Sequence, residues 1–390
     1  MQRDEERINR VRQALRDEGL DAVICADPPN VLMLSGYCPV TGTTVAIATA
    51  GGQVVVLTPS DEEKLAREGG ADDVITFEAG SLADLRGAAE GIMPGLRKVA
   101  AALELGGSVG VEDRQTMTPA PYVGLHSYRE NLSQMLLDAA PRASVRSATA
   151  LLEQLRSVKT PGEIARIKTA CTVAHEAFAR GMEQLNEGIS EAEAAAAFRL
   201  HLSAIDLDHH RADGSVYCMS GPNGYEAFAA YQRSRSRMLR HGDLALIHCN
   251  SHVDGFWTDI TRTYVTATTP DERQRQMYEA IFEARSAALA EIRPGARAAD
   301  VDRAARDVLT RHGFGDAFKH PAGHGVGFAA INHNALPRIH PKSTDVLVEG
   351  MTFNIEPGIY IEGYGGMRHC DMVAVTKNGV EVLTPFQCKL

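Results

Sequence analysis

The chain has 390 residues, of which 44% are hydrophobic and 23% charged, a composition typical of a globular protein with two or three domains. Its 40 lysines and arginines stand against 50 acidic residues, so the net charge is -10. This balance argues against a general nucleic-acid-binding protein, because such proteins need surplus cations to displace phosphate counterions.

No apolar run reaches the length of about 18 residues that a membrane span needs. The charged N-terminus lacks the apolar stretch of a signal peptide. We therefore expect a cytoplasmic protein without membrane or nucleic-acid partners. The seven cysteines include no C-x-x-C pair, so neither a disulfide framework nor a zinc knuckle is expected.

Residues 1–150 alternate between helical and strand patterns and predict a mixed α/β domain. The segment Asp27-Pro28-Pro29-Asn30 predicts a loop. Two apolar runs, 45–48 and 54–57, predict strands joined by a hairpin turn at Gly51-Gly52.

Residues 151–390 predict a second domain that also mixes helices and strands. Pro161 lies where a long helix begins, because its fixed φ suits the first helical position. Three strands are expected near 325–331, 351–356 and 367–376.

The Asp254-Gly255 dipeptide predicts a two-residue hairpin turn, which sets the register of the strands on either side. Because side chains alternate along a strand, four polar residues then share one face of the sheet: His248, Asn250, Asp259 and Thr261. The diagonal pair His248 and Asp259 is close enough for the side chains to meet. The alternative is a solvated polar face without a function.

Two further motifs carry chemistry of their own. Glycines flank His324, so the backbone can approach another segment there and the imidazole is left uncrowded. Glu356 ends a strand at a Pro-Gly turn, a position that suits metal binding or acid–base work. In the last strand, alternation groups Cys370 with Arg368 and separates both from His369, but the pattern leaves open which side faces a site.

In chain order, these motifs resemble the pita-bread family, peptidase family M24, which includes methionyl and Xaa-Pro aminopeptidases, prolidases and creatinase. The resemblance is carried by Asp259-Ile-Thr-Arg-Thr, Gly323-His-Gly-Val-Gly and Glu356-Pro-Gly, and it runs along nearly the whole chain. It implies an α/β (α+β) fold with a creatinase-type N-terminal domain over 1–150, a pita-bread catalytic domain over 151–390, and a homodimer.

Metallopeptidases of the family hold two metal ions with two Asp, one His and two Glu side chains. The resemblance places three of these on Asp259, His324 and Glu356. The first Asp position falls on His248 and the last Glu position on Cys370, so this chain is a divergent member with altered ligands.

The loss of two carboxylates removes the negative charge that a second cation needs. We therefore predict no dinuclear centre. His248, Asp259, His324, Glu356 and Cys370 would hold one divalent ion, with zinc or iron preferred to manganese by the imidazole and thiolate donors, or no metal at all, as in creatinase.

The resemblance implies a hydrolase that cleaves a C–N bond in a small amide, amidine or short peptide. His324 and Glu356 would handle protons, and His333 would protonate the leaving nitrogen. Phe228, where the family usually has a histidine, would line the substrate pocket with His320 and Arg368.

Two alternatives stay open from the sequence. One is a lyase that acts on a small sulfonium osmolyte by abstracting a proton next to a carboxylate. The other is a pita-bread protein that has lost catalysis and binds a partner.

Overall fold

The computed structural model describes residues 3–41, 43–78, 87–113, 131–203, 211–229, 233–329 and 334–386. It consists of two compact units, Met1–Arg156 and Ser157–Leu390. Within the described ranges, a search for a helix that is both long and apolar enough to span a membrane finds none.

In the part of the first unit that the structure describes, six strands form one mixed sheet: β1 Ala22–Cys25, β2 Val45–Thr49, β3 Val54–Pro59, β4 Asp73–Phe77, β5 Ser108–Val111 and β6 Ser144–Ser147. Their order is β4-β3-β2-β1-β5-β6. The antiparallel hairpin of β2 and β3 turns through Gly51-Gly52, as the sequence predicts, and Gly52 has a φ of 94° that favours glycine.

The helices up to the division between the units are α1 Glu5–Asp17, α2 Pro28–Ser35, α3 Glu63–Arg67, α4 Ala88–Ala102, α5 Leu132–Ala139 and α6 Thr149–Ser157. The loop predicted at Asp27-Pro28-Pro29-Asn30 is wrong, because Pro28 begins α2. Prolines are tolerated in the first turn, where the missing N–H has no intrahelical partner. Gly36, with a φ of 69°, ends the helix.

The described residues of the second unit form four long helices: α7 Pro161–Met182, α8 Glu191–Ser203, α9 Glu272–Glu291 and α10 Ala298–Arg311. Helix α7 begins at Pro161, as predicted. The Thr160 hydroxyl accepts a hydrogen bond from the Glu163 N–H, and the Glu163 carboxylate accepts one from the Thr160 N–H. This reciprocal pair satisfies two backbone donors at the helix start.

The strands of the second unit are β7 Ala212–Ser220, β8 Leu244–Val253, β9 Phe256–Val265, β10 Thr352–Ile355, β11 Gly358–Ile361, β12 Gly365–Arg368, β13 Asp371–Thr376 and β14 Gly379–Val382. They form an antiparallel β7-β8-β9 sheet, a β10-β13-β14 sheet and a β11-β12 ribbon. The predicted hairpin register is confirmed, because Asn250 pairs with Asp259 and His248 with Thr261.

The structure corrects two of the predicted strands. No strand forms over residues 325–329, the described part of the first, because Gly325 donates to Ala335 whereas Val326 donates to Thr352. The strand predicted over 367–376 is interrupted at His369 and Cys370. Their N–H groups donate to Pro357 and Thr261, so the chain changes partners there.

Apolar side chains of α9 and α10 pack against buried residues of β10 and β13 to form the core of the second unit. Phe353 and Ile355 belong to this core and are fully buried. Because side chains alternate along a strand, Asn354 and Glu356 point away from it. Both are nevertheless buried, so a second layer of the protein must cover them.

Candidate active site

The floor of the candidate site is the polar face of the β8–β9 hairpin. His248, Asn250, Asp259 and Thr261 share this face and are all buried. The Nδ1 atom of His248 lies 3.7 Å from Oδ1 of Asp259, so the predicted diagonal pair does meet. A solvated polar face is therefore excluded. Trp257, of the opposite parity, is buried as well.

His324 reaches this floor from a glycine-flanked loop. A Cβ on Gly323 would lie 1.9 Å from the Asn354 carbonyl oxygen, and one on Gly325 would lie 2.1 Å from that of Leu336, so only glycine fits at either position. The backbone N–H of His324 donates to Oδ1 of Asn354 at 2.7 Å. The imidazole Nε2 of His324 lies 3.5 Å from Oδ2 of Asp259.

Glu356 follows β10 directly and is the third side chain of the group with Asp259 and His324. Its Oε1 lies 3.9 Å from Nε2 of His324. Asp259, His324 and Glu356 thus line one buried site, although they come from three separate segments. His333, the predicted proton donor to the leaving nitrogen, lies outside the described residues, so its role stays a prediction.

The interrupted last strand turns Cys370 towards the site and His369 away from it. The Cys370 Sγ donates to the main-chain oxygen of Asp259 at 3.1 Å. His369 instead lies 3.1 Å from Asp371, whose carboxylate pairs with Arg262 at 2.7 Å. The predicted grouping of these residues by parity is confirmed, and the structure decides which group faces the site.

Arg368 shares the Cys370 side and is buried in the same site. Its Nε donates to the Thr261 hydroxyl at 3.0 Å, and its Nη2 lies 3.0 Å from Nδ1 of His248. Its Nη1 is 3.8 Å from Oε2 of Glu356. The guanidinium therefore stands among the residues that the sequence predicts as metal ligands.

Both ring nitrogens of His248 are engaged. A guanidinium can only donate, so Nδ1 accepts from Arg368 and the ring proton lies on Nε2. The Asn250 amide lies 2.8 Å from Nε2, and its Oδ1 as placed has no described partner. The hydrogen-bond network therefore assigns the amide oxygen of Asn250 to face Nε2, which satisfies both groups.

Electrostatics hold the site in one protonation pattern. Burial raises the pKa of Asp259, but the hydrogen bond from His324 and the charge of Arg368 lower it and hold this carboxyl in its ionised form. Burial alone would lower the pKa of His324, whereas the hydrogen bond to Asp259 and the charge of Glu356 raise it. Burial raises the pKa of the Cys370 thiol well above its usual value, so the thiol is protonated.

Phe228 and His320, predicted as substrate-binding residues, both contact Tyr360. The Phe228 ring packs edge-on against Tyr360 at 5.7 Å between centroids, and Nε2 of His320 lies 2.8 Å from its hydroxyl. Arg368 lies 3.5 Å from the same hydroxyl. Sequence reasoning missed Tyr360. In the sequence, Tyr360 is marked by little more than its place two residues after Gly358 in β11. That position is too weak a signal to identify a site residue.

The predicted ligands do not enclose a common point. Among the described residues, no group of three or more His, Cys, Asp or Glu side chains is arranged to hold a metal ion. His248 and Cys370 are hydrogen-bonded elsewhere, and Arg368 adds a fixed positive charge beside Glu356. The residues present therefore do not fit the cation pair of the family's metallopeptidases.

The two units define the class of protein. Residues 7–158 match the model of the creatinase/prolidase N-terminal domain, and residues 165–377 match that of metallopeptidase family M24. The architecture is that of a two-domain enzyme with a pita-bread catalytic unit. The chain belongs to metallopeptidase family M24, whose model covers more than half of its length.

Relatives support this membership along the whole chain. The Xaa-Pro dipeptidase of Pyrococcus horikoshii is 28% identical over 385 residues, covering 99% of this chain and 98% of that protein. The probable dipeptidase PepE of Mycobacterium bovis is 38% identical over 60% of each chain. The crystal structure of the prolidase from Pyrococcus horikoshii matches with a TM-score of 0.77 and 26% identity, covering 99% of both chains. The predicted family, fold class and hydrolase class are confirmed.

Proposed function

We propose that this protein hydrolyses the C–N bond of a short peptide or a small amide. The observation that carries the proposal is the buried convergence of Asp259, His324 and Glu356, with 3.5 Å and 3.9 Å between their polar atoms. The dipeptidase names of the relatives support a peptide substrate. These names favour hydrolysis over the two alternatives, the lyase and the inactive binding protein.

The mechanism follows from the roles that these three groups can take. The Glu356 carboxylate takes a proton from water as its oxygen attacks the carbonyl carbon. The C–O bond forms, the C–N bond breaks, and the leaving nitrogen takes a proton from His324 or from His333. Asp259 lies near the same ring nitrogen of His324 as Glu356 does, and its charge stabilises the protonated form of the imidazole.

The substrate pocket is lined on one side by Phe228, His320 and Tyr360. The aromatic contact of Phe228 with Tyr360 makes this wall apolar, while His320 offers a polar edge. Because the family usually has a histidine at the Phe228 position, the substrate preference has to be measured among Xaa-Pro dipeptides, other dipeptides and small amides. A substrate panel should therefore contain all three.

The site holds at most one divalent ion. Two carboxylates, Asp259 and Glu356, already face the charge of Arg368, so little negative charge is left for a cation pair. A single zinc, iron or manganese ion would draw on Asp259, His324 and Glu356, and these side chains would have to shift to bind it, because as placed the described residues offer no such group of three. The protein acts as a homodimer, as the family resemblance implies.

The experiment that tests the function is the substitution Glu356→Gln, with Glu362→Gln at an exposed position as the matched control. Glu356→Gln should lower turnover by about 100- to 10,000-fold, because the base is lost while the shape is kept. The control should retain full turnover. Unchanged hydrolysis in Glu356→Gln would rule out the assigned role of this carboxylate.

A further inference from the structure

We propose that Glu191 is a positioning residue that holds one wall of the substrate pocket in place and thereby sets the affinity for substrate. The wall segment, residues 220–228, runs from the last residue of β7 to Phe228. The inference rests on the proposed C–N hydrolysis, in which Phe228 lines the pocket. Glu191 belongs to α8 and acts on the substrate only through this segment.

The first support is the set of hydrogen bonds that Glu191 accepts. Its Oε1 accepts from the backbone N–H of Ser220 at 2.7 Å, from the Ser220 hydroxyl at 2.9 Å and from the side-chain amide of Asn223 at 3.0 Å. Its Oε2 accepts from the backbone N–H of Arg235 at 3.0 Å. Three of these four donors belong to the wall segment, so one carboxylate fixes the beginning of that segment.

The second support is the burial of this carboxylate. Glu191 is 0% exposed, and glutamate is almost never fully buried unless its carboxylate is paired. Glu193, in the same first turn of α8, is exposed and only caps the helix at Ser190. Because a buried carboxylate without hydrogen bonds is costly, Glu191 and the wall segment have to keep this arrangement together.

The third support is the close packing between this anchor and the pocket. A Cβ on Gly224 would lie 2.8 Å from the backbone nitrogen of Gly366, so the wall segment lies directly against β12. Further along, the Ala227 carbonyl accepts a hydrogen bond from Arg368 at 3.3 Å, one residue before Phe228. A backbone packed this closely cannot absorb a displacement at its start, so the displacement would reach the pocket wall.

The inference separates substrate binding from chemistry. Asp259, His324 and Glu356 come from other elements, and Glu191 accepts no hydrogen bond from any of them. Loss of Glu191 should therefore weaken the binding of substrate while the reacting groups keep their places. In kinetic terms, such a loss raises KM and leaves kcat nearly unchanged.

Steady-state kinetics of Glu191→Ala test the inference. KM should rise about tenfold or more, while kcat should stay within about threefold of the wild-type value. Glu193→Ala is the matched control, because it removes a carboxylate from the same turn of α8 that makes no contact with the wall segment. The control should keep the wild-type KM. An equal rise in both variants, or a fall in kcat at constant KM, would overturn the inference.

A graded series distinguishes positioning from a general loss of stability. Glu191→Gln should keep KM within about threefold of wild type, because the amide oxygen still accepts from Ser220 and Asn223. If Glu191→Ala does not fold, Asn223→Ala decides the question by removing one of the donors. Its KM should rise about threefold or more at constant kcat, and an unchanged KM would refute the inference.

A double-mutant cycle tests whether Glu191 acts through the pocket wall. Phe228→Ala should raise KM by itself, because it removes the side chain that the segment presents. Adding Glu191→Ala to this variant should raise KM by less than about twofold more, since the wall that Glu191 positions is already lost. Two effects on KM that simply multiply would contradict the inference.

Hydrogen exchange tests the anchor without any substrate. In Glu191→Ala, the amides of residues 220–228 should exchange about tenfold faster than in wild-type protein, and in Glu193→Ala they should not. Unchanged exchange in Glu191→Ala would overturn the inference even if hydrolysis is observed. Conversely, faster exchange in a protein whose wild type hydrolyses nothing in the panel refutes the proposed function and supports the positioning role of Glu191.

Discussion

The thiol of Cys370 lies 3.1 Å from the main-chain oxygen of Asp259, so a hydrogen-bond donor stands where the family has a metal-binding carboxylate. The thiol is fully buried, and burial raises its pKa well above the usual value. Cys370 is therefore a neutral packing group in this structure, and its chemistry differs from that of a thiolate ligand.

We expect Cys370 to resist alkylation in the native protein, because only an accessible thiolate reacts with iodoacetamide. Half-buried Cys38 is the internal comparison and should be labelled first. Mass-spectrometric mapping of labelled cysteines before and after unfolding measures both. Labelling of Cys370 at the rate of Cys38 in folded protein would contradict the buried, protonated thiol.

Asp259→Asn should lower turnover by about 100-fold or more, because an amide can neither orient His324 as a proton donor nor stabilise its charged form. The exposed Asp307→Asn provides a control with the same chemical change. Steady-state kinetics with the best substrate of the panel measures the effect. Equal turnover in the two variants would show that Asp259 has no part in the reaction.

Asp371→Asn should destabilise the protein by about 3–5 kcal/mol, because it leaves the fully buried guanidinium of Arg262 without its charge partner. Arg262 also donates to the main-chain oxygens of Cys370 and Thr384, so the loss reaches the residue before β13 and the segment that follows β14. Urea unfolding measures the change in free energy. Glu272→Gln, which breaks an exposed pair with Arg275, should leave the midpoint unchanged.

The half-buried carboxyl of Glu112 makes the stability of the first unit depend on pH. Burial and the neighbouring charge of Asp27 raise its pKa from its usual value of 4.5 to about 7. The folded state thus holds this proton more tightly than the unfolded state, so the contribution is complete below pH 4.5 and is lost as the pH rises to 7.

Wild-type protein should lose roughly 1–3 kcal/mol of unfolding free energy from this group between pH 5 and pH 8, and Glu112→Gln should remove that loss. The amide keeps the shape of the side chain and an acceptor for the N–H groups of Ala26 and Asp27. Urea unfolding of both proteins at the two pH values gives the comparison. An identical pH dependence in the variant would show that another group is responsible.

Local rules explain the parts of the fold that were predicted correctly. The two-residue turn at Asp254-Gly255 sets which residues of β8 and β9 stand opposite each other, so Asn250 and Asp259 pair as the spacing requires. The glycines on either side of His324 form a local motif that predicts a close approach of backbone, and the structure shows that approach. Such features depend on a few neighbouring residues, so the sequence is enough to identify them.

Other features depend on segments that are distant along the chain. The helix that begins at Pro28 is an exception with a local cause, because its prolines fall in a first turn that the following apolar residues continue. The strand predicted across His369 and Cys370 is interrupted because its N–H groups find partners on other elements. Counting positions along the sequence cannot identify those partners.

The sequence by itself determined the family, the two-domain architecture and the three side chains Asp259, His324 and Glu356, because these depend on motif order and strand periodicity. Only the tertiary structure decided that Cys370 faces the site and that Arg368 stands among the predicted ligands. Alternation divides a strand into two sides, but which side is the interior depends on the elements that pack against it.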